Sequence, residues 1–121
     1  MEDFDLDLYR THAEVIRQTV AQVAKDFSMF GMNVEFTGNT GLAYDELFIQ
    51  LSKHIHSLLE SGSNKLPALL YHVDLNERNI FDSVKEHPEY SHAEVIADLV
   101  IHRELKKVLI RNYFKNQKPG Q

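Results

Sequence analysis

The sequence predicts a small all-α domain of about five helices, bundle-like or orthogonal, with long helices first and last. Three observations carry that prediction. Apolar residues recur at steps of three and four through most of the chain. Glycine, proline and capping residues fall between those runs. Alternation with a period of two is confined to "MNVEF", Met32 to Phe36, so at most one short strand-like segment is expected.

The first helix carries Tyr9, Ala13, Ile16, Val20, Val23, Phe27 and Phe30 on one narrow stripe, and Gly31 is its natural stop. Such a seam suits packing within one chain or against another copy. The second helix runs from about Leu42 to Glu60, with a stripe through Leu47, Leu51, Ile55 and Leu58 and a stop at Gly62. "KLPALLYHV" reads as a short third helix, its proline tolerated in the first turn. Asp74 and Glu77 have capping-box spacing ahead of a fourth helix that ends near Glu86, before Pro88. Ser91 and Glu94 form an S-x-x-E box ahead of the long final helix. Nothing in "KNQKPGQ" calls for order, so one domain over 1–114 with a disordered tail over 115–121 is expected. The 32–36 stretch pairs with a second extended piece, pairs across a dimer, or is not a strand; the last is the expectation, because a lone strand cannot satisfy its backbone.

At 121 residues, 43% hydrophobic and 26% charged, the chain has a single-domain length and an ordinary globular composition. With no cysteine, thiol catalysis, disulfides and cysteine–zinc sites are excluded. The start "MEDFDLDLYR" is acidic where a signal peptide is basic, and no apolar run is long enough to span a bilayer. A cytoplasmic protein without a membrane partner is expected. The net charge of −5 is unevenly spread: Arg103 to Gln121 holds six basic residues and one acid, while the rest carries a net of −10.

"FTGNTG" has the look of a phosphate-binding turn between a strand and a helix. It lacks the lysine and hydroxyl of a P-loop and the third glycine of a dinucleotide fingerprint. Asp45 and Glu46 follow it, where acids complement the helix dipole and repel an anion. It reads as a turn, with Thr40 or Asn39 capping the second helix. Among the seven histidines, His54 and His56 point to opposite sides of their helix. Glu94, Asp98 and His102 step by four along the last helix, where Asp98 is placed to pair with His102. "EHPEYSH", Glu86 to His92, gathers two histidines, two carboxylates and a tyrosine in one loop, which makes a metal-dependent or histidine-based enzyme an alternative reading. No catalytic, cofactor-binding or metal-ligating residue is nominated, and no cofactor is implied.

The final helix is the most informative segment. Its first half is apolar on two sides, through Val95, Ile96, Leu99 and Val100 and through Ala97 and Ile101. In its second half Arg103, Lys106, Lys107 and Arg111 replace one of those faces, with Ile110 and Phe114 among them. These six residues are the candidate partner-binding surface. Arg103 follows an apolar face and needs an acidic partner if buried; Asp5 or Asp7 is the natural candidate. The resulting expectation is a small soluble helical adaptor or regulatory protein that self-associates through its first and last helices or binds a heterologous protein. Nucleic-acid binding through the basic helix ranks behind it, since the chain as a whole is acidic.

Overall fold

The computed structural model describes residues 12–115 and is built from five helices, with no strand among those residues. Helix α1 (Ala13–Ser28) buries Ile16, Val20, Val23 and Phe27 of the expected stripe together with Val15, while Ala13 is exposed and Phe30 lies half-buried past the helix end. Tyr9 and the acidic start lie outside the described residues. After α1, Gly31 adopts a left-handed φ of 77° and the N–H of Met32 returns to the Phe27 carbonyl at 3.0 Å. That reversal is available to glycine without steric cost.

Helix α2 (Ala43–Ser61) buries Leu47, Leu51, Ile55 and Leu58. Its N-terminus departs from expectation: Leu42 is the N-cap and no side chain caps it. Asn39 instead accepts the Gly41 N–H at 2.9 Å, closing the turn upstream of the helix. Gly62 ends α2 in the left-handed region, as its position suggested. Helix α3 (Lys65–His72) buries Leu66 and Leu69.

Helix α4 (Glu77–Glu86) is capped by Asn76 and Asn79, which exchange side-chain-to-backbone bonds, and not by Asp74 and Glu77. Asp74 is unsuited to that task because it sits at φ 64°, in the turn before the cap. Helix α5 (His92–Lys115) opens with the expected box: the Ser91 N–H donates to Glu94 at 2.8 Å and the Glu94 N–H donates to Ser91 at 3.2 Å. It extends through Lys115, one residue past the expected domain boundary; the rest of the tail lies outside the described residues.

The core lies where α5 packs on α2 and α1. Phe27, Leu47, Leu51, Ile55, Leu69 and Val100 are sealed from solvent there. Each such side chain contributes about 1.5–3 kcal/mol by leaving water. Helices α1 and α5 run antiparallel: Gln18 meets Asn112 and Gln22 meets Arg111, while Asp26 meets Glu104 farther along. Val15, Leu105, Val108 and Leu109 form a second small cluster between them. Helix α4 packs chiefly on α5 and buries none of its residues.

Residues 32–37 have no β partner among the described residues, and α2 takes the partner's place. The Glu35 N–H donates to Gln50 at 2.8 Å, and the Gln50 amide donates back to the Glu35 carbonyl at 2.7 Å. His54 bonds the Asn33 carbonyl at 2.7 Å, and Glu46 accepts from both the N–H and the hydroxyl of Thr37. The match is geometric. Four helical residues rise about 6 Å and two extended residues about 6.6 Å, so every fourth side chain of α2 meets every second amide of the strap. Met32, Val34 and Phe36 meanwhile pack on the core.

Candidate functional site

Three helices bring polar side chains to one point. Helix α1 supplies Gln22 and Asp26, α3 ends in His72, and α5 supplies Glu104 and Lys107. Asp26 and Glu104 are buried against each other, and Asp26 Oδ2 and both Glu104 carboxylate oxygens have no hydrogen-bond partner among the described residues. His72 Nε2 lies 3.1 Å from Asp26 Oδ1, and Gln22 donates to the same oxygen at 3.0 Å. Lys107 Nζ stands 3.3 Å from Glu104 Oε1. A cleft of about 390 Å³ opens over this centre, lined by Gln22, Lys25, Asp26, Met29, His72 and Lys107.

The electrostatics follow from burial. Desolvation, then the Asp26 carboxylate, push Glu104 up to about 8, with Lys107 opposing. Burial alone raises Asp26 as well, but its interactions with Glu104, His72 and Gln22 together outweigh it and hold Asp26 below the usual carboxylate range. Two like charges in contact inside a protein do not both ionise at neutral pH. The pair therefore holds one proton between two acids, with an imidazole and an ammonium at the mouth. This arrangement can store and exchange a proton. It also ties α1, α3 and α5 together, and that structural task is enough to account for its burial.

The six residues nominated on the final helix do not form one continuous free surface. Arg103 is paired, with Asp74; Asp5 and Asp7 lie outside the described residues. Lys107 turns toward Glu104, and Arg111 donates to Gln22 at 3.1 Å. Lys106 and Phe114 are exposed and Ile110 is half-buried, with the Tyr113 and Phe114 rings in edge contact. Two of the four cations are thus matched by acids of the chain itself.

The other candidates resolve into local pairs. His87 meets Glu89 at 3.2 Å and stacks on Tyr90, which itself touches Phe48, so the 86–92 loop is bound up in contacts of its own. His102 lies 3.5 Å from Asp98, and Glu94 serves the helix cap. Among the described residues, no group of three or more His, Asp or Glu side chains is arranged to hold a metal ion. In the glycine turn, Gly38 takes a φ of 95° and Glu46 reaches back to Thr37, which places a carboxylate against the strap where a phosphate would have to bind.

Sequence reasoning missed Asp26, His72 and Glu104. One signal was available: Glu104 falls at helical spacing with Val100, Ile101, Leu105 and Val108, a carboxylate inside an apolar stripe.

A larger concavity lies elsewhere, along α4. Leu59, Ile80, Phe81, Val84, His92 and Ile96 line most of a groove of about 980 Å³, with Glu77, Arg78, Asp82 and Lys85 at its edges. Phe81 is 59% exposed, a large apolar side chain left in water, with Lys85 Nζ 4.3 Å from its ring centre.

No protein-family model, curated protein or solved structure matches the chain. No helix among the described residues is long and apolar enough to cross a membrane.

Proposed function

We propose that this protein acts by contact, as a small cytoplasmic adaptor or regulatory module that self-associates, and that α4 is the contacting element. One observation carries the reading: α4 buries none of its residues, and on its apolar face, where Ile80 packs on the core and Val84 is half-buried, Phe81 stays 59% exposed. A helix gains most of its stability by burying such a face, so an open one points to an occupant.

The occupant is a second copy of the chain. A two-fold contact presents the same patch on both sides, so its charges must complement themselves. With two α4 helices antiparallel and the axis near Phe81, Glu77 meets Lys85 of the partner subunit. Apolar residues at the centre and ion pairs at the rim are the usual anatomy of an interface. The sequence placed self-association on the first and last helices. Their apolar stripes are largely occupied inside the chain, and α4 supplies the exposed Phe81.

Native mass spectrometry of the untagged protein tests this, alongside Phe81→Glu. The wild type should be a dimer at concentrations up to about 100 μM, where even weak contacts are populated. Phe81→Glu should be monomeric with unchanged helicity by circular dichroism, because Phe81 contributes little to the core. A monomeric wild type, or a dimer indifferent to Phe81→Glu, would refute the assignment.

A further inference from the structure

We propose that the outer edge of the 32–37 strap is a strand-addition site for an extended basic peptide, a surface separate from α4. In an extended chain the N–H and C=O of one residue point to one side, and those of the next point to the other. Both backbone groups of Glu35, the N–H of Thr37 and the carbonyl of Asn33 point toward α2 and are bonded there. Val34 and Phe36 must therefore direct their backbone groups the opposite way. Among the described residues no hydrogen bond reaches them. Side-chain ladder bonds hold the strap extended on one edge and leave a two-residue template on the other. Strand addition needs such a template, with main-chain bonds for affinity and alternate side chains for selectivity.

Charge selects the occupant. No lysine or arginine occurs between Asp26 and Lys53, and the exposed Glu35 carboxylate sits in the middle of the strap. An antiparallel peptide centred on Glu35 sets its own second and fourth residues against Phe36 and Val34, and its middle residue beside Glu35. Apolar residues fit the first two positions and a lysine or arginine the middle one. A second copy's strap fits less well, because the same register puts Glu35 beside its own equivalent, and like charges directly opposite are destabilising.

The test uses the full chain and a capped peptide, Lys-Val-Lys-Val-Lys, acetylated and amidated. In this register the two valine N–H groups are the donors to the strap. Titration followed by NMR should move the amide protons of Val34 and Phe36 more than any others. The same peptide N-methylated at both valines keeps its charge and should lose the binding. Glu35→Lys should weaken binding roughly fivefold or more, the scale of a cross-strand charge pair reversed, with helicity unchanged because the Glu35 side chain is exposed. Equal binding of the methylated peptide would reduce the interaction to charge alone and overturn the proposal. So would shifts centred elsewhere, no binding, or strap-to-strap contacts between copies in the peptide-free protein.

Discussion

Replacing Glu104 by glutamine should make the protein more stable at alkaline pH and flatten its stability profile. In the wild type the carboxyl is buried against Asp26, and its ionisation is displaced from 4.5 to about 8. Each decade in an acidity constant corresponds to about 1.4 kcal/mol, so ionising Glu104 within the fold costs on the order of 5 kcal/mol. Below the unfolded value both states are protonated and this group has no effect. Between that value and about 8, the unfolded chain releases a proton that the folded chain keeps. Stability then falls with rising pH by up to about 1.4 kcal/mol per unit, and levels off above. Asp26 has the opposite sign: its folded value is depressed, so its contribution is present above the ordinary carboxylate range and is lost on acidification. Glutamine has the same shape, carries no charge, and can donate an N–H to Asp26. Urea unfolding between about pH 5 and pH 9 provides the readout. The wild type should lose several kcal/mol across that window and Glu104→Gln much less, so that the variant overtakes it toward the alkaline end. Parallel profiles would mean that Glu104 does not hold the shared proton.

Two further variants probe the local devices of the fold. Gln50→Ala removes both bonds to Glu35 and should cost about 1–2 kcal/mol; hydrogen exchange should show the Glu35 amide losing protection while the α2 core amides keep theirs. Ser91→Ala removes one half of the box at the start of α5 and should cost about 1 kcal/mol, read as a lower urea midpoint at constant slope.

All five helices were legible because their signals are local. The stripe through Val20, Val23 and Phe27, the stop at Gly62 and the Ser91–Glu94 box each depend on residues within a turn or two of one another. The errors arose where competing residues were equally plausible. Asp74 and Asn76 both precede α4, and only the turn geometry shows that Asp74 is left-handed and free to meet Arg103 while Asn76 caps. The acid pair was not legible, since Asp26 and Glu104 come from opposite ends of the chain and no periodicity ties them together. Glu104 was read as the lone acid on a basic helix, when its spacing with Ile101 and Leu105 placed it inside. The glycine turn was read correctly as a turn but its cap was misassigned: Asn39 satisfies Gly41, and α2 begins without a side-chain cap.

The bonding of the strap to α2 gives the 32–37 segment a parity. Only odd-numbered residues face Glu46, Gln50 and His54. One residue inserted between Met32 and Thr37 would turn some of the even amides toward the helix and push Val34 or Phe36 out of its apolar seat. Two inserted residues would restore the alternation and merely lengthen the span. A stretch that resembles an ordinary connector between α1 and α2 is thus constrained in whole pairs, so its length is inherited from the pitch of the helix beside it.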